Sequence, residues 1–586
     1  MKQRISIIDA LKGIAIIAVA LYHYGGGYLP YGYLGVDIFF VVGGYLLISS
    51  LKRQMEKGVF NYWKFLFRKI VRLWPLVILV SVVAVGIGFF LMLPDDYENL
   101  AESVIASSAF ANNILQCITT KNYWDVVNLY KPLMHLWYIG VLMQAYIVLP
   151  LIYMLLSKVN RKRGIAIGTA SITIVSFILF LLPTFSSAWK FYYLPFRAFE
   201  ITAGGLLVEW EPKAGIKAKK ITAWISFVLL LVLIATRTEI VSGSAMLLFT
   251  VVFSLAFLWA TKELSYNGIK EKAIGIGAAI GKRSYSIYIW HQVIVAFMFY
   301  SFFPKQNSLT FIVFVALTAL ISLLSYKIEN LLSSLIGKKT QETAVIAVTI
   351  VVAVAVCSFS FLVYRHAGVV RDVPELNVYK ENVHRGMHAE YCDRPYSWDK
   401  EFENDGRKKV LVIGNSFGRD WANILYEWDH EKKVEISYLF FAEDAIEKHI
   451  KRIEEADIVF YAMGPGYGEI QQSITETTDS KKLYIVGNKN YGESNGIIYA
   501  KRFSEDYYDQ TVEIPIKLTA CNMRDSSQYT DRYIDMMTPV MVDNTHVRVF
   551  TDDNMFISQD CRHLTQAGAQ YYARILDVGR ILGIEH

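Results

Sequence analysis

The chain is poor in charge. Only 19% of its 586 residues are Asp, Glu, Lys or Arg, against 54% apolar residues. Mean hydropathy is +0.31, a balance that excludes an ordinary water-soluble chain and points to a bilayer as solvent. Net charge is only +6, which excludes a nucleic-acid footprint and fits loop charge beside a membrane. The five cysteines, Cys117, Cys357, Cys392, Cys521 and Cys561, make no CxxC pair and no zinc spacing, so no metal and no bound cofactor are expected. No solenoid-period repeat is present. The first apolar run leads into further runs with no small-residue cleavage site between them, so it is expected not to be a secretory signal.

What the chain has instead is long apolar segments. Eleven fall at about 6–24, 33–51, 74–94, 133–157, 164–183, 192–209, 221–236, 242–260, 284–302, 309–326 and 343–364, several near the length that crosses ~30 Å of hydrocarbon. The loops after the second, fourth, sixth, eighth and tenth are basic, among them KRQMEK, KVNRKR and KAGIKAKK. The intervening loops are not, and one, PDDYENLAE, is acidic. The tally is roughly 25 basic residues on one side against about five on the other. An odd number of spans follows, with a cytoplasmic N-terminus and everything after Arg365 outside.

The first segment, ISIIDALKGIAIIAVALYHY, carries Asp9, Lys12 and His23. At ~100° per residue, Lys12 and His23 return to within roughly 20° of one helix face, about 16 Å apart along the axis. Ionisable groups inside a span are costly unless they face a protein interior or a wet cavity. The plain alternative is a snorkelling lysine and an interfacial histidine.

The region after Arg365 alternates strand and helix patterns. KKVLVIGNSF, VEISYLFF, ADIVFYAMG, KKLYIVGN and HVRVFT read as strands, while RDWANILYEW, EDAIEKHIKRIEEA and LTQAGAQYYARILDV read as helices. That alternation predicts a parallel sheet covered on both faces. The boundaries read as a membrane domain over 1–366, a connector over 367–406 and an extracytoplasmic α/β/α domain over 407–586. Ser416 lies on a strand-to-helix turn in IGNSFGRD, where its hydroxyl meets the sheet's carboxyl edge beside a helix N-terminus. Asp560 and His563, in DCRHLT, immediately precede the last helix. Ser as nucleophile, His as base and Asp as orienter is the logic; Ser416 alone reads equally well as a helix N-cap.

GNS near the start of this domain and DxxHLT near its end resemble the SGNH hydrolases, an α/β/α family of esterases and acyltransferases. The resemblance implies Ser416 as nucleophile, His563 as base and Asp560 as third member. The family draws its oxyanion hole from further Gly and Asn blocks. Here the block after the third strand reads Gly464-Pro-Gly466-Tyr467, with Gly466 at the Asn position. The oxyanion candidates are therefore the Ser416 N–H, Gly464 and Asn488.

The membrane half resembles the acyltransferase-3 family through six ordered motifs. These are Lys12-x10-His23; GVDIFFVVGGYLL with Asp37, and Gly43 where Ser is usual; FRKIVRLWP with Arg68, Lys69 and Arg72; HLWYIGVLMQ with His135, Trp137 and Gln144, and Leu142–Met143 in place of an acidic pair; FRAFE with Arg197 and Glu200; and SYSIYIWHQ with Tyr285, Tyr288 and His291. Read without the resemblance, these residues are positive-inside charges, a structural ion pair and an aromatic belt. Together they favour a polar cavity in the bundle. The fused type that O-acetylates bacterial surface glycans matches best. It implies acetyl-coenzyme A as cytoplasmic donor substrate, an extracytoplasmic glycan as acceptor, the lipid bilayer as surroundings, and a multi-pass protein of the bacterial cytoplasmic membrane. Two rivals are a membrane-anchored glycan acetylesterase and a transporter bearing a glycan-binding domain. Cys392, Cys521 and Cys561 would face an oxidising space, where one disulfide and one leftover thiol fit the count.

Overall fold

A computed structural model describes residues 2–584, except 26, 120–125, 160–162, 211, 238–241, 263, 265–267, 303–305, 336–338, 385–386, 404, 441–448, 465–473, 475–477 and 479–481. The chain divides into two compact units, Met1–Leu91 with Asp96–Tyr364, and Met92–Asp95 with Arg365–His586.

The first unit is helical. Its described helices are α1 (Lys2–Tyr24), α2 (Gly35–Glu56), α3 (Tyr62–Leu91), α4 (Pro94–Ser108), α5 (Asn112–Thr119), α6 (Trp137–Val159), α7 (Gly164–Leu181), α8 (Ser187–Tyr192), α9 (Leu194–Glu209), α10 (Ile216–Ala235), α11 (Gly243–Thr261), α12 (Ile269–Gly281), α13 (Ser284–Phe297), α14 (Ser308–Leu335) and α15 (Lys339–Arg365). Among the described residues nine helices are long and apolar enough to cross a membrane. The chain is a multi-pass membrane protein. The other two expected spans, 192–209 and 284–302, are α9 and α13, of 16 and 14 residues, the latter running on into a wider turn at Met298–Phe302. Both are buried over most of their length. A helix ringed by other helices need not match the bilayer, and these two carry the polar cargo Arg197, Glu200 and His291. Two stretches read as loops are helical. PDDYENLAE starts α4, with Pro94 at its first position. The basic 262–283 stretch contains α12.

Close backbone approach fixes two helix pairs. A Cβ on Gly44 of α2 would sit 1.7 Å from the Ile201 carbonyl oxygen of α9. One on Gly281, at the end of α12, would sit 1.7 Å from the Asp9 carbonyl oxygen of α1. Small residues at such crossings let helices pack without a hydrophobic drive between them. The first crossing sets the distance between Asp37 on α2 and Arg197 on α9.

The second unit is an α/β domain on a five-stranded parallel sheet in the order β2-β1-β3-β4-β6, from β1 (Lys408–Gly414), β2 (Val434–Phe440), β3 (Ile458–Ala462), β4 (Leu483–Val486) and β6 (Tyr533–Ile534). A small antiparallel pair joins β5 (Thr511–Glu513) to β7 (His546–Arg548). Alternate residues of β1 feed two cores. Val410 and Val412 pack with Trp421, Ala422 and Leu425, and Leu411 and Ile413 pack with Ile453, Val459 and Tyr461. Burial on both faces is why these strands read as apolar runs. The expected HVRVFT strand exists as β7, outside the main sheet. The fifth place is taken by two-residue β6. Of the three expected helices, EDAIEKHIKRIEEA lies partly outside the described residues and shows Ile450–Glu455. The others are α17 (Ser416–Trp428), which follows the short α16 (Met387–Asp393), and a helix at Gln566–Ile575, which is the penultimate one because a short helix at Val578–Leu582 follows it.

β1 pairs with β2 on one side and β3 on the other. The chain order therefore reverses at its carboxyl end, the place where open parallel sheets leave a crevice. Ser416 is there.

Candidate active sites

The turn after β1 is built by Asn415. Its side-chain Oδ1 accepts from Phe417 N–H (2.9 Å) and its Nδ2 donates to the Met463 carbonyl (2.7 Å). Asn415, not Ser416, is therefore the N-cap of α17. This leaves the Ser416 hydroxyl for other work. His563 Nε2 lies 2.8 Å from Ser416 Oγ, and His563 Nδ1 lies 2.7 Å from Asp560 Oδ2. A carboxylate accepts only, so Nδ1 carries the proton and Nε2 takes the Ser416 hydroxyl hydrogen. Asp560 Oδ1 also accepts from His563 N–H (2.8 Å) and Arg562 N–H (3.1 Å). Desolvation works against ionising Asp560. The hydrogen bonds and charge of His563 and the two backbone donors outweigh it and hold the carboxyl at about 2. The site is open: side-chain exposure is 26% for His563 and 52% for Asp560.

The oxyanion candidates part ways. Gly464 has φ +78°, and the Phe417 ring lies over its Cα. It adjoins Met463, whose carbonyl holds Asn415. The Asn488 amide donates instead to Cys521 Sγ at 3.7 Å. Gly466 lies outside the described residues. All five cysteines are free thiols in the structure, so the cysteine count that allows one disulfide is not used for one here. Cys561 Sγ donates to Asn495 Oδ1 (3.2 Å) and Cys392 Sγ to the Leu564 carbonyl (3.6 Å).

In the membrane unit three imidazoles meet. His23 Nδ1 is 2.8 Å from His291 Nε2, with the rings stacked at 5.0 Å. The His135 ring is 5.2 Å from that of His291. All three are buried. His291 Nδ1 donates to the Tyr288 carbonyl (2.8 Å), and a carbonyl can only accept. For neutral rings this fixes the chain of donors: His291 Nε2 accepts from His23 Nδ1–H, and the lone pair of His23 lies on Nε2. His135 Nε2 donates to the Ile289 carbonyl (3.1 Å), and Tyr288 hydroxyl donates to the His135 carbonyl.

A cavity of about 250 Å³ adjoins this cluster. Its lining includes Lys12, Lys69, Arg72, Tyr285 and Tyr288. Tyr288 links the two, since its ring also lies 5.6 Å from His291 and 5.2 Å from His135. Lys12 pairs with Asp9 (2.8 Å), and Tyr285 hydroxyl donates to the Leu73 carbonyl (2.6 Å). The Lys69 ammonium lies over the Tyr146 ring at 4.2 Å. Arg68, on α3, is exposed and does not line the cavity. Arg72 is 3.4 Å from Glu329, a buried carboxylate that also accepts from Ser286 (3.0 Å). Glu329 is hidden in the sequence because KIENLLSS looks like a basic loop; it lies within α14.

Asp37, Arg197 and Glu200 form a separate group. Arg197 contacts Asp37 at 2.7 Å and Glu200 at 2.9 Å, all three buried. Asp37 and Arg197 line another cavity, of about 340 Å³, with Trp137 and Lys190.

Comparison with known sequences decides the family of this unit. Residues 5–327 match the acyltransferase-3 family, described as an acyltransferase domain. The chain belongs to that family. It is 27% identical over 320 residues to the peptidoglycan O-acetyltransferase OatA of Listeria monocytogenes, covering 50% of each chain. It is 26% identical over 343 residues to the O-acetyltransferase OatA of Staphylococcus aureus, covering 55% of each. The chain thus matches about half the length of these curated relatives. The acyltransferase-3 match encloses His23, His135, His291 and the cations around the 250 Å³ cavity.

Proposed function

We propose that this protein is an O-acyltransferase that moves an acyl group, in the first instance acetyl, from cytoplasmic acyl-coenzyme A to hydroxyls of an extracytoplasmic glycan. The observation that carries the reading is the Ser416–His563–Asp560 hydrogen-bonded series on the same chain as an acyltransferase-3 unit. The loop-charge asymmetry supports a cytoplasmic N-terminus and a C-terminal domain, from about residue 407, on the far side. The peptidoglycan acetylation named for the Listeria relative makes peptidoglycan the first acceptor to test.

In the membrane unit, Lys12, Lys69 and Arg72 supply the positive charge that donor phosphates need. His23 Nε2 is the base that takes a proton from the hydroxyl attacking the thioester carbonyl, and it passes that proton to the coenzyme A sulfur as the C–S bond breaks and the thiol leaves. In the second unit, which acts as an SGNH-type domain, Ser416 Oγ attacks the acyl carbonyl carbon and its proton passes to His563 Nε2. The carbonyl re-forms as the bond to the donor breaks, and the donor oxygen or sulfur leaves with that proton. A glycan hydroxyl then attacks the acyl-Ser416 ester, giving its proton to His563, which returns it to Ser416 Oγ. Asp560 keeps His563 in the required tautomer and carries the countercharge. The Ser416 N–H, at the start of α17, and Gly464 are the oxyanion donors of this reading.

The test is mass analysis of envelope glycans from cells carrying His23→Ala or Ser416→Ala. Loss of O-acyl groups in both supports the relay; full acylation in both ends it. If only Ser416→Ala matters, the protein is an anchored esterase or transferase with another donor. If only His23→Ala matters, the C-terminal domain is not a chemical participant.

A further inference from the structure

The Ser416–His563 contact joins a helix to a loop, and the loop is irregular. Residues 558–564 carry the base, and Cys561 within them has φ +68°, a conformation side chains other than glycine rarely adopt. Such a segment stays in register only through its fastenings. One is internal, Gln559 N–H to the His563 carbonyl at 2.7 Å. Others come from the stretch after β4. Tyr491 N–H donates to the Cys561 carbonyl (3.0 Å), and the buried Asn495 amide donates to the Ser558 carbonyl (2.7 Å). None of these ties the loop to the helix that carries Ser416.

Asp420 does. It lies four residues after Ser416, one turn along α17. Its Oδ2 accepts from Leu564 N–H at 3.1 Å, the backbone next to His563, and meets Lys489 Nζ at 2.8 Å. The two side chains are 1% and 2% exposed. The Lys489 ammonium also lies 4.1 Å from the centroid of Phe417, the residue after the nucleophile. An ion pair this deeply buried is a poor device for stability, because desolvating both charges offsets most of their attraction. Its location matches a different use. It fastens the nucleophile helix, the base loop and the segment after β4 at one point.

We propose that Asp420, charge-compensated by Lys489, is a positioning residue that sets the separation of Ser416 Oγ and His563 Nε2. This rests on the transfer triad proposed above. Asp420 touches no reacting atom and acts through the backbone of Leu564.

The experiment uses the full chain in detergent micelles and a fluorophosphonate probe, which reports Ser416 only when His563 activates it. Labelling rate is read well below the thermal midpoint, so that lost stability alone does not move it. Asp420→Ala removes the acceptor for Leu564 N–H and should slow labelling about 10–100-fold, the scale of a 1 Å misplacement. Asp420→Asn combined with Lys489→Met removes both charges and keeps an acceptor for Leu564 N–H. It should label within about threefold of the unaltered protein. Wild-type labelling by Asp420→Ala overturns the proposal. So does a double variant that melts normally yet labels as slowly as the alanine variant, or, where Asp420→Ala does not fold, more than about tenfold below the unaltered protein. No labelling at Ser416 in the unaltered protein overturns the triad reading and this one with it, whereas labelling indifferent to Asp420 overturns this one only.

Discussion

His23 and His563 each lie 2.8 Å from a partner, but the partners belong to different chemistries. His563 stands between a hydroxyl and a carboxylate at a half-open edge of a sheet. Asp560, ionised down to about pH 2, fixes its tautomer and can balance a positive imidazole. His23 is buried against a second imidazole, and that imidazole is oriented by a main-chain carbonyl. A carbonyl dipole fixes a tautomer as well as a carboxylate does but brings no net charge. The difference teaches that one residue type serves two environments through what stands behind it. Near water a charged orienter is supportable; among apolar helices a dipole does the orienting, and an uncompensated charge is costly.

The largest expected effect separates the two sites outright. His563→Ala should abolish both fluorophosphonate labelling of Ser416 and hydrolysis of a soluble acetyl ester, a fall of about 10³-fold or more. His23→Ala should leave both intact while removing acylation of cellular glycan. If His23→Ala also silences the soluble reactions, the sites are not independent in chemistry. Next comes the orienter. Asp560→Asn should lower ester turnover by about 10²-fold or more, with KM nearly unchanged, because it disturbs the tautomer and not the binding surface. The same residue makes a pH prediction. Its folded pKa of about 2 lies below the ~3.9 of an unfolded Asp, so its stabilising contribution is complete above pH ~4 and disappears as pH falls towards 2. Denaturant unfolding of Asp560→Asn should therefore show a flatter acid limb in that window. An unchanged limb would mean that the carboxylate is not held as described. The smallest effect tests the membrane cavity. Lys69→Gln should raise KM for acyl-coenzyme A about 3–10-fold with little change in kcat, as expected for a cation that binds donor and transition state alike.

Much of the architecture was legible because it rests on periodicity and composition. Apolar runs marked the spans, and doubly buried strands marked the parallel sheet. Short elements were not legible. Tyr533–Ile534 takes a place in the sheet with two residues, too few to show alternation. α9 and α13 read as full spans because sequence reports hydropathy and not how many neighbours surround a helix. At the sites, types were legible and partners were not. The triad members stand in recognisable motifs, yet their fastener, Asp420, is an ordinary acidic residue of a helix until Lys489 and Leu564 are placed beside it. Lys489 carries a signal of its own, as a lone cation just after a buried strand. The neighbouring Asn488 offers the more familiar donor chemistry, but its amide meets Cys521. Arg197 and Glu200, three apart on one helix, were readable as a pair, but their common partner Asp37 comes from a distant segment.

Asn415 adds a consequence of its own. It uses both ends of one amide, accepting a main-chain N–H with its oxygen and donating to the Met463 carbonyl with its nitrogen. An aspartate would match it in shape and would cap the helix equally well, yet it would turn an anion towards a carbonyl oxygen. Hydrolytic loss of that single nitrogen, a change of about one mass unit that leaves every triad residue in place, would push the turn after β1 away from β3 and carry the Ser416 hydroxyl with it. The age of a preparation, followed by mass at this one peptide, would then be legible in its rate of ester turnover.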